Sequence, residues 1–262
     1  RQRQMCIRDR DDLDVTDTDE VLRFGEMNRP DIIINCSGMT DISSCEENPS
    51  QAFKVNALGA RNLAIVAAKM QAKMVQLSTD DVFDGKSTEP YTEFDITNPG
   101  TVYGKSKLAG ENYVKEFTTK HFIVRSTWVY GKGQNFINGF LKKVDAGEQL
   151  SIASDQFGSP TSANELARFL LHLVHTSEYG TYHATNKGVC SRYAFAQEIL
   201  KMTGKTASMQ PVPTVMSDFS KVRPAYAVLD NFIMSMVPIY DFPDWQDSLR
   251  EYLEERGLYH AE

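Results

Sequence analysis

The chain is short of cysteine, of long apolar runs and of like-charge blocks, and each shortage removes a class of protein. The four cysteines, Cys6, Cys36, Cys45 and Cys190, form no C-x-x-C pair. That excludes a zinc ribbon, a dithiol redox motif and a disulfide framework, and it fits a reducing cytoplasm. The longest apolar runs, around Ile32–Ile34 and Phe169–Val174, fall far below the ~20 residues that cross a bilayer. Lys and Arg number 28 against 35 Asp and Glu, a net charge of -7, with no basic block. Neither a nucleic-acid backbone nor an anionic membrane is an expected partner, so an anionic ligand must be held by local groups.

Several catalytic patterns are absent or incomplete. Gly85-Lys-Ser-Thr88 ends like a phosphate-binding loop, but the glycine required five positions earlier is Asp80, so no phosphate cradle is expected. His172 and His175 share a helical face without a third ligand or an H-E-x-x-H motif, and they read as packing and surface residues; no metal is expected. No serine or cysteine has a triad around it. Asn35-Cys-Ser37 matches a glycosylation triplet but ends an apolar, strand-like run, so it reads as coincidence. The opening RQRQMCIRDR is charged and without periodicity; it resembles neither a signal peptide nor the start of a domain, and it is expected to be foreign to the rest of the chain.

What is present is a core-forming composition, 41% hydrophobic and 10% aromatic across 262 residues, enough for one large domain or two interlocked lobes. From Val15 onward, apolar β-branched runs alternate with amphipathic stretches, the pattern of a parallel sheet covered on both faces. The spacing predicts strands at Ile32–Asn35, Met74–Ser78 and Phe122–Arg125, with helices at Asp17–Met27, Pro49–Met70 and Val102–Phe117. Asp17, Asn48 and Pro49 are their capping or first-turn candidates. Glu46 and Glu47 read as a solvated helix entry, since carboxylates favour an N-terminus. Beyond Phe136, helices are predicted at Asn135–Ala146, Ala163–Thr176, Tyr193–Thr203 and Asp244–Glu255, separated by loops rich in Gly, Pro, Ser and Asn. The expected division is a dinucleotide-binding lobe over residues 1–135, with 1–10 foreign to it, and a substrate lobe over 136–262 interleaved with the first.

The most informative segment is Tyr103-Gly-Lys-Ser-Lys107, preceded by Ser78-Thr79 at the end of an apolar strand. On a helix, residues four apart project from one face. A phenol is a poor acid or base at neutral pH, and a nearby ammonium favours its ionised form, so the pair can exchange a proton with a carbonyl or alcohol. Thr79 would lie at the carboxyl edge of the sheet, where open α/β folds bind ligands. Taken alone, the pentapeptide reads first as a solvated Tyr/Lys pair, a common pairing at this spacing. Asp80 and Asp81 could suggest acid/base or metal work, but on an extended segment their side chains point to opposite faces.

Further segments stand in order along the chain: DLDVTD (12–17), RPDIIINCSGMTDISSCEENP (29–49), VNALGARNLA (55–64), STDDVFDG (78–85), NPGTVYGKSKLAGE (98–111), RSTWVYGKGQNF (125–136), DQFGSPT (155–161), GTYHATNKGVCSRYAFAQEI (180–199) and DWQDSLREYL (244–253). Together they resemble the dTDP-4-dehydrorhamnose reductase family of extended short-chain dehydrogenase/reductases, from about Asp12 to Leu253. The resemblance implies an α/β, doubly wound parallel sheet of Rossmann type with a smaller α+β substrate lobe. It also implies a cytoplasmic enzyme, a homodimer as a possible assembly, and NADP(H) as cofactor with NAD(H) as the alternative. The reaction implied is reduction of the C4 keto group of dTDP-4-dehydro-L-rhamnose to dTDP-L-rhamnose, for surface polysaccharide.

By the same resemblance, Tyr103 protonates the alkoxide developing at C4, Thr79 hydrogen-bonds it, and Lys107 holds the nicotinamide ribose and lowers the tyrosine pKa. Asp14 and Val15 border the adenine, and Cys36, Ser37 and Gly38 lie along the cofactor. Trp128 packs by the sugar; Asp80, Asn135, Phe136, Gln156, Phe157 and Pro160 line the nucleotide-sugar pocket, and Arg223 meets the diphosphate. Two positions depart from the family pattern: Asp81 stands where tyrosine is usual, and Arg192 where an aromatic is common. Two other readings remain: an epimerase or dehydratase of the same superfamily, which commonly places a carboxylic acid near Thr79, and a non-enzymatic subunit like the β-subunit of methionine adenosyltransferase. A fold of this kind opens on a strand, a glycine-rich turn and a helix, and the sequence contains no such start. In the strand order 3-2-1-4-5-6 it resumes at about strand 3, so Ile32–Asn35, as strand 4, is expected at an unpaired edge. Instability is the expected consequence, and activity in this form is left open.

Overall fold

The computed structural model describes residues 13–216 and 224–260. Asp17 caps helix α1 (Thr18–Asn28), accepting the Glu20 N–H at 2.9 Å, and strand β1 (Ile32–Asn35) follows. Next come α2 (Ile42–Glu47) and α3 (Pro49–Phe53), with Pro49 in the first turn, where its missing N–H costs nothing. Asn48 makes no side-chain cap there; its backbone N–H closes α2 on the Ser44 carbonyl instead. A π-helical turn at Lys54–Leu58 runs directly into α4 (Gly59–Met70). The expected single helix over Pro49–Met70 is therefore interrupted, and the inserted turn carries the buried Asn56, whose side chain is committed to other segments.

Strand β2 (Lys73–Thr79) ends in a 3₁₀ turn, Asp80–Val82, and a long loop leads to α5 (Val102–Phe117) and β3 (His121–Ser126). The remainder comprises β4 (Val129–Tyr130), α6 (Phe136–Asp145), β5 (Leu150–Ala153), β6 (Phe157–Gly158), β7 (Thr161–Ser162), α7 (Ala163–Leu173), β8 (Gly180–His183), β9 (Cys190–Ser191), α8 (Arg192–Thr203), β10 (Met209–Val212), β11 (Tyr226–Ala227), α9 (Phe232–Met236) and α10 (Trp245–Glu255).

The main sheet runs β1-β2-β3-β8, every pair parallel, with Ile34 opposite Val75, Val75 opposite Phe122 and Val124 opposite Tyr182. Apolar side chains cover both faces, as parallel sheets require. Val21, Ala64, Ala67, Met74, Val114 and Ile123 fill one side, beneath α1, α4 and α5. Val75, Phe122, Val124, Phe169, Leu173 and Tyr182 fill the other, beneath α7. Strand β8, which periodicity does not single out, comes from beyond residue 135 to complete this sheet. Among the described residues β1 has β2 as its one partner, and Ile34 on it is 41% exposed, so the expected edge is where β1 lies. A third core joins α6, β5, α8 and α10 through Ile137, Phe140, Ile152, Phe195, Ile199 and Leu249.

Helix α5 is seated against backbone rather than side chains. A Cβ at Gly104 would stand 2.1 Å from the Asp81 carbonyl oxygen, and one at Gly110 would stand 2.4 Å from that of Asn56. Gly104→Ala is expected to lower stability by about 1–3 kcal/mol, because neither backbone can yield without moving the helix. Gly139→Ala on α6, with nothing within 4 Å of the added carbon, is expected to be neutral or stabilising by up to about 1 kcal/mol. Urea denaturation of the two variants checks the contrast.

Candidate active site

The start of α5 is set by two side chains. Thr101 is the N-cap and accepts the Gly104 N–H at 2.9 Å, while Glu46 from α2 accepts the Val102 N–H at 2.8 Å. The carboxylate cluster before Pro49 is thus not a helix entry, as expected from sequence, but the end of a short helix. Its affinity for a helix N-terminus is spent on α5, 56 residues on. Starting there, α5 places Tyr103 in its first turn, buried among Ile42, Cys45 and Ala52. Lys107 follows one turn later, 5% exposed, and donates to the Leu77 carbonyl at 2.7 Å. Burial holds its ammonium pKa down at about 8, against the charges of Glu111 and Cys36, which act to raise it.

Thr79 closes β2 and caps the 3₁₀ turn: its hydroxyl accepts the Asp81 N–H at 3.2 Å and donates to Asp80 Oδ1 at 3.0 Å. The turn corrects the expectation of an extended segment, because Asp80 and Asp81 are both buried and both sit beside Thr79. Gly104 touching the Asp81 carbonyl brings the first turn of α5 to the same junction. The helix that carries Tyr103 and Lys107 therefore meets the carboxyl end of β2, where Thr79 stands.

The loop after β1 forms the adjoining wall. Asn35 accepts from both the Ser37 N–H (3.0 Å) and the Ser37 hydroxyl (2.6 Å), and its amide donates to Gln76. Asn56 holds the other end, accepting the Met39 N–H at 2.8 Å and donating to the Met39 carbonyl and to Ser106. A Cβ at Gly38 would lie 3.1 Å from Asn56 Oδ1 and 3.8 Å from Lys107 Nζ, so the loop passes close over the ammonium. Cys36 lies within electrostatic reach of the same ammonium. Farther along, the Val15 carbonyl accepts from Asn62 at the start of α4, and Asp14 turns the chain by accepting the Thr16 N–H.

Trp128 follows β3 in a left-handed conformation (φ 46°) that few non-glycine residues adopt. Its ring lies on Gly158, where a Cβ would come within 2.6 Å, and the Arg192 guanidinium stacks 3.4 Å from its centre. Arg192 also reaches the Phe136 ring at 4.8 Å, and its N–H donates to the Gln156 carbonyl. Phe157 is exposed and pairs with Ser191, next to Arg192. The structure thus gathers Trp128, Phe136, Gln156 and Phe157 around the residue that departs from the family pattern. Asn135 is occupied in capping α6 and in binding the Gly131 carbonyl, and Pro160 is buried. Arg223 lies outside the described residues.

Four residues escaped sequence reasoning: Asn56, Glu46 and the buried pair Glu111 and Arg125 (2.7 and 2.9 Å). Glu111 carried a signal, since it stands eight residues past Tyr103 and four past Lys107 on one helical face. The model of the RmlD substrate binding domain matches residues 1–257. The chain belongs to that family. Among its relatives, the spore coat polysaccharide biosynthesis protein SpsK of Bacillus subtilis is 38% identical over 230 residues, 87% of this chain and 81% of that protein. A crystal structure of a dTDP-4-dehydrorhamnose reductase from Clostridium acetobutylicum superposes with a TM-score of 0.93 at 41% identity, covering 95% of this chain and 89% of the other. That of the Bacillus anthracis dTDP-4-dehydrorhamnose reductase in complex with NADP gives 0.92 at 37%, with the same coverage. Family membership and the expected fold class are borne out.

Asn56→Ala strips a buried acceptor and a donor from the loop after β1, and a second donor from Ser106 of α5. It is expected to cost about 2 kcal/mol or more, with faster amide hydrogen exchange at Ser37–Met39. Exchange unchanged at these amides would show that Asn56 does not hold the loop.

Proposed function

We propose that this chain reduces the C4 keto group of dTDP-4-dehydro-L-rhamnose to dTDP-L-rhamnose, using NADPH, in the making of a surface polysaccharide. The observation that carries the reading is Lys107. Its buried ammonium, one turn below Tyr103, spends one donor on the Leu77 carbonyl, and its other N–H groups have no acceptor among the described residues. That fits a ribose with adjacent hydroxyls. Lys107 would hold the ribose, Cys36, Ser37 and Gly38 would lie along the cofactor, and Asp14 and Val15 would border the adenine. The reduced nicotinamide, when bound, supplies the hydride.

The remaining chemistry belongs to the chain itself. Tyr103 donates its phenolic proton to the C4 oxygen as negative charge builds there. Thr79 hydrogen-bonds the same oxygen, its hydroxyl turning from Asp80, and Asp80 remains at the pocket edge. Lys107 favours the phenolate that is left, through its positive charge. Trp128 packs against the sugar; Asn135, Phe136, Gln156, Phe157 and Pro160 line the remainder of the pocket, with Arg223 at the diphosphate. The proposal includes a cytoplasmic setting and a homodimer, without a nucleic-acid or membrane partner. Among the described residues, no helix is long and apolar enough to cross a membrane.

One observation favours a second reading. The Asp80 carboxylate is buried against the Thr79 hydroxyl, near where an epimerase or dehydratase of the superfamily places its acid. Cofactor balance separates the two: the reductase consumes one NADPH for each product, whereas turnover without net consumption would support the second. Tyr103→Phe is expected to cut kcat by about 10²–10⁴ while leaving NADPH binding intact, and unchanged turnover would support a non-enzymatic role. Lys107 is an ammonium below its pKa of about 8. Activity is therefore expected to be full below that value and to fall as pH rises through it.

A further inference from the structure

Glu111 is fully buried, yet it lies on the same face of α5 as Tyr103 and Lys107, two turns and one turn beyond them. Its Oε1 accepts the Ser78 hydroxyl at 2.5 Å and Arg125 Nε at 2.9 Å, and its Oε2 accepts Arg125 Nη2 at 2.7 Å. Ser78 stands between Leu77, whose carbonyl holds Lys107, and Thr79. One carboxylate therefore joins α5 to β2 and β3 at the layer of the site. Arg125, in turn, lies over the Phe83 ring at 5.3 Å and keeps Nη1 buried without a partner among the described residues.

Such a pair is a costly way to hold a helix on a sheet. Desolvating two ions cancels most of their attraction, and apolar side chains of similar volume often pack as stably or better. Its place, one turn from a catalytic lysine, gives the charge another use. From its own helix Lys107 feels the charge of Glu111; from the loop after β1 it feels Cys36, and to β2 it donates to the Leu77 carbonyl. Arg125 of β3 pairs with the Glu111 carboxylate, Lys115 of the same helix reaches its Oε2 at 3.8 Å, and the Asp81 carbonyl lies at the first turn of α5. The π-helical turn presents the neutral Asn56. Glu111 is the carboxylate that acts on the ammonium.

We propose that Glu111 is a positioning residue of this site: tied to Ser78 and Arg125, it fixes α5 in the register that brings Tyr103 and Lys107 to Thr79, and it supplies the negative charge that faces Lys107. The inference rests on the reductase reading for its catalytic consequence, but the charge itself is measured without turnover. Glu111→Gln keeps the side chain's shape and its acceptor for Ser78 while removing the charge. In the full chain, the Lys107 side-chain amine, followed by NMR, is expected to titrate about one pH unit below its value in the unsubstituted protein. The high-pH limb of kcat should move with it, so that kcat at pH 8 falls roughly five-fold, while KM for the nucleotide sugar changes less than about two-fold.

A folded Glu111→Gln protein whose Lys107 titrates as before would overturn the proposal. If that variant does not fold, Glu111→Gln with Arg125→Met removes both members of the pair, and the same downward shift is expected; an unmoved titration again overturns it. Ser78→Ala leaves the charge in place and tests the register: kcat is expected to drop about three-fold with the Lys107 titration unchanged, and full kcat would overturn that half of the proposal. Should the unsubstituted protein turn over no nucleotide sugar while its titration still shifts in Glu111→Gln, the reductase reading fails and the role of Glu111 toward Lys107 stands.

Discussion

Helix α5 reaches the sheet because it carries glycine at the two places where it meets backbone. Gly104 lies against the carbonyl of Asp81 and Gly110 against that of Asn56. A methyl group at either would push the helix outward, and a displacement of that size breaks hydrogen bonds that tolerate only a few tenths of an ångström. Lys107 to the Leu77 carbonyl and Glu111 to Ser78 and Arg125 all cross this gap. The close approach is therefore the condition on which the polar layer rests. Thr101 and Glu46 add an axial constraint by fixing where the helix begins.

The site is expensive, and its cost is met by pairing. Lys107, Glu111, Arg125, Asp80 and Asp81 are all withdrawn from water at the carboxyl ends of β2 and β3. Beside them His183, at the end of β8, is held neutral, its pKa lowered to about 3 by burial and then by the Arg125 charge. Its Nδ1 faces the carbonyls of Tyr91 and Asp230, which ties the loop before α5 to the segment before α9. Glu93 acts from the same loop, accepting the N–H groups of His183 and Ile233. The long connection between β2 and α5 is thus pinned over the sheet edge by polar bonds, and a rigid frame around a reacting group is what electrostatic catalysis requires.

The stack on Trp128 shows how a departure from family pattern is absorbed. The indole packs closely on Gly158 and has a guanidinium over its ring. A planar cation covers a ring much as an aromatic would, through cation–π attraction. Arg192 therefore stacks on the indole and brings a positive charge beside Trp128 and Phe136.

How much was legible depends on the range of each interaction. Strand Ile32–Asn35 and helix Val102–Phe117 stand where the sequence predicts them, because strand and helix periods are written in adjacent residues. The Tyr103/Lys107 pair was legible for the same reason, as a matter of helical spacing. The π-helical turn, the 3₁₀ turn under Asp80 and Asp81, and the fourth strand, Gly180–His183, were not, since each depends on groups far along the chain. By itself the sequence determined strand Ile32–Asn35, helix Val102–Phe117, the face that Tyr103 and Lys107 share, and the family. Only the tertiary structure decided that Glu46 caps a helix 56 residues away, that Asn56 clamps the loop after β1, and that Glu111 and Arg125 meet beneath the site. Those partnerships are side-chain hydrogen bonds across the layers of the fold, and no local pattern encodes which distant atom will complete them.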